Sequence, residues 1–167
     1  MFNQLTQKDI EAMEAEIEER KVIIRPKLLE AVKEARAHGD LSENFEYYAA
    51  KKEKNKNESR IRFLERMIKT AEIIPDDSAE DEIGVNTKVT VMFEEDGEIE
   101  NYKIVTTMRG DSLSGLVSVE SPIGKALMGH KEGDRIYVEV NAGYGYYLIV
   151  KKIEKNPDEE DDKLRSF

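Results

Sequence analysis

Residues 34–53 read EARAHGDLSENFEYYAAKKE, and the reading of this stretch decides the fold. Gly39 and Asp40 interrupt two long segments of helical character. Across residues 1–73 glycine occurs once, at Gly39, and proline once, at Pro26. Upstream of the break, Ile10, Met13, Ile17, Ile24, Leu28, Ala31 and Ala35 recur at intervals of three, four or seven. That is the period of one face of a helix. Downstream, Tyr47, Ala50, Ile61, Leu64, Ile68 and Ala71 continue a seam of the same kind, weakened in the middle where Lys54 and Asn57 fall on it. A glycine and an aspartate between two such runs predict a tight reversal. The expected structure is an antiparallel coiled-coil hairpin over residues 1–74, with arms of about 30 residues and roughly 45 Å. Pro26 lies inside the first arm. It removes a backbone donor and crowds the carbonyl of Val22, so a kink is expected there.

Outward from the hairpin the pattern changes. PDDSAEDE (75–82) is acidic, opens on proline and predicts a linker over 75–83. Beyond it the apolar period becomes two. TKVTVMF (87–93), IENYKIVT (99–106), GLVSV (115–119), DRIYVEV (134–140) and YGYYLIVKKI (144–153) read as strands, separated by glycine-bearing breaks. Within the third break, Pro122–Met128 reads as a short helix with Ser121 as its N-cap. Residues 84–155 thus form a small α+β domain. The terminal NPDEEDDKLRSF (156–167) reads as an acidic, mobile tail.

Composition excludes several functions. The chain has no cysteine and two histidines, His38 and His130. Disulfide scaffolds, thiol catalysis and Cys-based zinc sites are ruled out, and a Ser-His-Asp triad has little to draw on. No apolar run is long enough for a membrane span, and MFNQLTQKDIEAME has no signal-peptide core, so a cytoplasmic protein is expected. The formal net charge is −10. Residues 1–72 hold 15 acids and 15 bases; the remainder hold 21 and 11 and carry the whole excess. Non-specific nucleic-acid binding is therefore not expected, although the neutral half can present a local basic face.

Two carboxylates, Asp40 and Glu43, stand at the bend. Facing outward, they could share a hard cation such as Mg²⁺, which prefers six oxygens and so would need a partner to complete its shell. The same residues also fit a capping box, with Asp40 as cap, Glu43 reaching back and Ser42 as a competing cap. Spacing leaves both readings open. On the second arm Lys52, Lys56 and Arg60 fall at i, i+4 and i+8, within a segment from Glu43 to Glu72 that has 8 bases and 6 acids. They can form a basic stripe for nucleic acid, or a solvated face in which Glu58 pairs with Arg62 and Glu65 with Lys69. His38 reads as a cation at a helix C-terminus.

The segments GDLSENFEYYAAKKE (39–53), ESRIRFLERMIKTAEII (58–74), VSVESPIGKALMGHKEGDRIYVEV (117–140) and RPKLLEAVKEARAHGD (25–40) together resemble the bacterial Gre transcript-cleavage factors of the GreA type. The resemblance covers about residues 20–153, with several motifs in the right order. It implies a hairpin followed by an FKBP-like domain, in a cytoplasmic, monomeric protein with the family's transcription and DNA-binding roles. It implies docking on bacterial RNA polymerase by the C-terminal domain and insertion of the coiled coil into the secondary channel. There the tip stimulates the polymerase's own cleavage of the 3′ end of backtracked nascent RNA. The chain itself is then a cofactor rather than an enzyme.

Carried over by position, Asp40 and Glu43 hold a Mg²⁺ jointly with the polymerase, supported by Ser42 and Asn44. Lys52, Lys56 and Arg60 meet the RNA, and Glu120, Ser121 and Pro122 form the docking segment. Phe45 departs from the family, which usually has a small residue there; it can stack on a base or pack on the turn. The usual N-terminal Met-Thr-x-x-Gly is replaced by LTQKDIEAM. Two other functions compete. A Gre-like channel binder that inhibits the polymerase would be expected to alter the plain Asp-Leu-Ser-Glu tip. A prolyl isomerase would need an aromatic-lined apolar pocket, in a half with no Trp and few aromatics beyond Phe93 and its tyrosines.

Overall fold

The computed structural model describes residues 3–38, 44–109, 115–155 and 164–166. The chain divides into two compact units. Ile10–Ala71 form one; Met1–Asp9 and Glu72–Ser166 form the other. The expected boundary at residue 74 therefore misassigns the first residues, which group with the sheet domain.

The helical unit is an antiparallel hairpin. Its first arm comprises α1 (Gln7–Glu19), a π-helical turn (Arg20–Ile24) and α2 (Arg25–Ala37); α3 (Phe45–Lys69) is the second. Partners run in opposite directions. As the first-arm residue moves from Glu16 through Arg25 to Arg36, its contact on α3 moves from Arg60 through Glu58 to Tyr47. The seam is close to the one expected, with Ile10, Met13, Ala35, Tyr47, Ile61 and Leu64 buried. One position differs. Ala31 is exposed and Val32 turns inward instead, which covers the larger apolar side chain.

At Pro26 the expected kink takes the form of the π-helical turn just before it. The Arg25 N–H donates to the Arg20 carbonyl, five residues back. A proline ring crowds the carbonyl four residues before it in a regular helix, and a widened turn relieves that crowding. Its cost is visible on the outside: Val22 and Ile23 are more than half exposed.

Polar groups fasten the middle of the seam. Glu16 accepts from Arg20 Nε at 2.8 Å and from Arg60 Nε and Nη2 at 2.7 and 3.2 Å. Arg20 Nη1 donates to Oδ1 of the buried Asn57 at 2.8 Å. Arg25 makes a bidentate pair with Glu58 at 2.9 and 2.8 Å, and Lys21 pairs with Glu65 at 3.1 Å. The pairing of Glu58 with Arg62 and Glu65 with Lys69 is thus not adopted. Both glutamates reach across to the other arm, where a bond fixes register as well as charge.

In the second unit, β1 (Gln4–Leu5) pairs in parallel with β2 (Glu72–Ile73), a two-stranded element that the sequence reading did not contain. The larger sheet has the order β5-β4-β3-β7-β6. Its strands are β3 (Lys88–Phe93), β4 (Ile99–Val105), β5 (Leu116–Ser118), β6 (Arg135–Asn141) and β7 (Tyr144–Glu154). Only the β4–β5 pair is parallel; β3–β4, β3–β7 and β6–β7 are antiparallel. The short helix α4 (Pro122–Leu127) contacts both edge strands, β5 and β6. A six-residue helix is about 9 Å long, whereas five flat strands span about 19 Å. The sheet must therefore curl around α4. Ile83, Val89, Val91, Ile104, Leu127, Ile136, Val138, Leu148 and Val150 fill the space inside.

The expected linker is partly domain. Ile83 is 1% exposed, its N–H donates to the His130 carbonyl at 2.8 Å, and its carbonyl accepts from Gly129. The expected mobile tail is described at 164–166 alone, where the Arg165 N–H donates to the Met108 carbonyl at 2.6 Å.

A buried polar knot closes this unit. Thr6 Oγ1 accepts from the Asp9 N–H, and Asp9 Oδ2 accepts from the Thr6 N–H, a capping box at the start of α1. Asp9 is 2% exposed. Its carboxylate also accepts from Thr106 Oγ1 at 2.6 Å and from Arg109 Nε, on the 3₁₀ turn Thr107–Arg109.

Two outcomes follow from these networks. Burial alone would raise the pKa of Glu16, but hydrogen bonds from Arg60 and Arg20 outweigh it and hold the carboxyl below its ordinary 4.5. A carboxyl depressed in the fold contributes stability above its unfolded value, and that contribution is lost as pH falls through the folded one. The helical melting temperature should drop on acidification below about pH 4.5. Glu16→Gln should flatten that drop and cost about 1–3 kcal/mol at neutral pH. Asp9→Ala removes one acceptor from three donors, and a lowered denaturant midpoint should report a loss of about 2–4 kcal/mol. A change below about 0.5 kcal/mol would mean the knot contributes little.

Candidate functional site

Three of the expected site residues, Asp40, Ser42 and Glu43, lie outside the described residues. Their surroundings are defined on both sides. The first arm ends at His38, the C-cap of α2, whose N–H donates to the Ala35 carbonyl. The second arm starts at Asn44. Asn44 Oδ1 accepts from the Tyr47 N–H at 3.0 Å, which makes it the N-cap of α3. Its Nδ2 donates to the Ala35 carbonyl of the first arm at 2.6 Å. One amide thus caps the second arm and ties it to the first. The capping role weighed for Asp40, Glu43 and Ser42 at α3 belongs to Asn44. Five residues, 39–43, link His38 to Asn44, and both acids fall within that link.

The start of α3 carries an aromatic group. The Tyr47 hydroxyl accepts from Arg36 Nη2 at 3.1 Å, and the same guanidinium lies 5.4 Å above the Tyr47 ring. Tyr48 stacks on Tyr47 with centroids 5.6 Å apart and planes inclined by 28°. Phe45 is 85% exposed.

The expected basic stripe divides. Lys52 and Lys56 are exposed, but Arg60 is 8% exposed and bound to Glu16 within the seam. The correction has a simple cause. Arg60 sits one residue before Ile61 and three after Asn57, and these neighbours face the first arm. A guanidinium can bury its stem there while its head meets Glu16.

At the other expected site, Ser121 is the N-cap of α4. Its Oγ accepts from the Gly124 N–H at 3.1 Å and donates to the Ser118 carbonyl at 2.6 Å. A Cβ at Gly124 would overlap that same carbonyl, so only glycine allows the turn to close. Glu120 accepts from Thr107 Oγ1 at 2.9 Å, and Pro122 is exposed at the first turn. Glu120, Ser121 and Pro122 therefore form one rigid corner between β5 and α4, fastened to the 3₁₀ turn. Thr6, Asp9, Thr106 and Arg109, which hold the other side of that turn, were absent from the sequence reading. The Thr-x-x-Asp spacing ahead of an apolar run was the signal for the first two.

Among the described residues no three metal-ligating side chains converge, and no helix is long and apolar enough to cross a membrane.

Comparison with known proteins accounts for both units. A family model described as transcription elongation factor, N-terminal, matches residues 3–73. A second, described as transcription elongation factor, GreA/GreB, C-term, matches residues 78–155. Transcription elongation factor GreA of Streptococcus gordonii is 44% identical over 152 residues, covering 90% of this chain and 94% of the relative. The factor of the same name from Streptococcus sanguinis is 43% identical with the same coverage. Among solved structures, GreA factor homolog 1 of Thermus thermophilus is 26% identical, covers 92% of this chain and 99% of its own, and superposes with a TM-score of 0.43. With both halves matched in order and close relatives spanned almost end to end, the chain belongs to the GreA/GreB family of transcription elongation factors.

Proposed function

We propose that this elongation factor acts in the cytoplasm as a monomer on bacterial RNA polymerase. It stimulates the polymerase's own hydrolysis of the 3′ end of backtracked RNA and hydrolyses no RNA by itself. The observation that carries this reading is the position of Asp40 and Glu43. Both lie in the five-residue link between two long arms, and Asn44 already supplies the cap that α3 needs. Neither acid is therefore needed as the N-cap of α3.

Two carboxylates are hard oxygen donors of the kind Mg²⁺ takes, and the rest of its six oxygens must come from the polymerase, the RNA and water. A Mg²⁺ shared in this way supplies charge that favours a hydroxide nucleophile and a leaving alkoxide. Asp40 and Glu43 contribute ligands, Ser42 and Asn44 hold the link, and the β5–α4 corner at Glu120, Ser121 and Pro122 supplies the docking contact.

The test is a stalled, backtracked elongation complex incubated with the chain and Mg²⁺, with RNA length read on a gel. Shortening should require both polymerase and factor. Asp40→Asn and Glu43→Gln should each abolish stimulation and leave polymerase binding intact, with stability changed by about 1 kcal/mol or less. Binding without any shortening by the unaltered chain would instead identify a channel-bound inhibitor.

Docking is separable from cleavage. Ser121→Asp adds a charge to the corner while keeping an oxygen acceptor at capping length for the first turn of α4. Polymerase affinity should fall about tenfold, corresponding to about 1.4 kcal/mol, with helical circular dichroism unchanged. Unaltered affinity would place the docking surface elsewhere.

A further inference from the structure

We propose that free copies of this chain pair through the open edge of β6, strand against antiparallel strand, about a twofold axis at Tyr137. The inference stands apart from the polymerase reading. It concerns the free chain and leaves one copy at a time to act on the polymerase.

β6 lies at the end of the five-stranded sheet, and among the described residues β7 is its only strand partner. Along an antiparallel strand the backbone N–H and C=O groups turn to the two sides alternately. The Val150 N–H donates to the Asp134 carbonyl at 3.0 Å. Asp134, Ile136 and Val138 therefore turn their backbone groups toward β7, and Arg135, Tyr137 and Glu139 turn theirs to the open edge. The other side of β7 agrees. The carbonyl of Tyr147, which stands opposite Tyr137, accepts from the Glu94 N–H at 3.1 Å, away from β6.

The same three residues are exposed, while Ile136 and Val138 between them are buried. Charged residues on an edge ordinarily discourage strand addition. These two have opposite signs and stand two places to either side of Tyr137. With Tyr137 opposite Tyr137 of a second copy, Arg135 of each copy falls opposite Glu139 of the other, and the charges attract. That register also joins the two open edges by about six N–H···O bonds. An axis at Arg135 or at Glu139 would set like charges against each other. Glu139 makes no ion pair among the described residues. Arg135 donates to Glu94 through Nε and Nη2 at 2.7 and 2.8 Å. A guanidinium has five N–H donors and can serve a second carboxylate.

Aromatic packing leads to the same edge. The Tyr137 ring lies over Gly145, where an added Cβ would collide with it, and its centroid is 5.0 Å from that of Tyr147. Arg135 covers the Tyr147 ring at 3.7 Å. Tyr137 remains 45% exposed, at the point where this row of rings stops. A second copy in the same register continues the row with its own Tyr137 and Tyr147, and cross-strand aromatic pairs stabilise a sheet.

The test is sedimentation of the full chain in about 0.15 M salt, which screens the repulsion between two copies of net charge −10. A contact this short binds weakly, so the dimer fraction should be slight at about 10 µM and should grow toward about 1 mM. Arg135→Glu and Glu139→Lys each set like charges opposite one another, and each variant alone should stay monomeric. Mixed in equal amounts they should pair, because every opposed couple is again of opposite sign. Tyr137→Pro removes an N–H that β7 does not use, and should abolish pairing. Circular dichroism checks the fold of each variant; if the proline variant melts early, the charge exchange decides alone. A monomer at every concentration of the unaltered chain would overturn the proposal. So would a dimer formed by either charge variant alone, or a mixture that stays monomeric, since both place self-association elsewhere.

Discussion

Within the helical unit, each of the two antiparallel arms buries the stripe that it turns toward the other. The whole hairpin depends on that stripe keeping its register. In this chain apolar side chains supply part of it and a carboxylate supplies the rest. Glu16 takes hydrogen bonds from Arg20 on its own arm and from Arg60 on the other. A slip by one residue would leave a buried guanidinium without its anion. That penalty exceeds what most single apolar contacts contribute, and it is directional where apolar contact is not. The bidentate Arg25–Glu58 pair repeats the device further along. Register set in this way fixes which side chains stand at the far end, and so fixes the setting of Asn44 and its neighbours.

The sheet domain solves a different problem. Its small helix must reach both edge strands, and the sheet curls until it does. The corner at Ser118–Pro122 is where strand becomes helix, and it is held by short hydrogen bonds on one side and by Thr107 on the other. Thr107 belongs to the same 3₁₀ turn whose Arg109 grips Asp9. The proposed docking corner and the beginning of the first helix are therefore anchored on one turn of three residues.

Much of this was legible in the sequence. The helical period, the five strands, the short helix and its Ser121 cap all follow from local patterns, and each appears close to its expected bounds. What escaped was non-local. Arg60 lies on a stripe with Lys52 and Lys56 when spacing alone is considered; only the partner arm shows that it faces Glu16. Glu58 and Glu65 have helical neighbours of opposite charge and choose cross-arm partners instead. Ile83 looks like the end of a linker until Gly129 and His130 are brought beside it. The β1–β2 pair joins residues almost seventy positions apart, which no local pattern announces. At the proposed site the sequence offers Asp40 and Glu43 as candidates, whereas assigning the cap of α3 to Asn44 required its bond from the Tyr47 N–H.

Burial along the hairpin is uneven. On α3, Asn57, Arg60, Ile61 and Leu64 are buried, while between Tyr47 and Asn57 only Ala50 and Lys54 face inward, and both are partly exposed. Opposite them Leu28 and Val32 are likewise only partly covered. Local opening costs less where fewer apolar groups must be uncovered. Amide hydrogens in residues 28–34 and 48–54 should accordingly exchange with solvent sooner than those around Ile61 and Leu64. The hairpin is then graded: the stretch around Ala50 and Lys54 opens more readily than the one around Ile61 and Leu64, so the arms can shift there while the register set at Glu16 is kept.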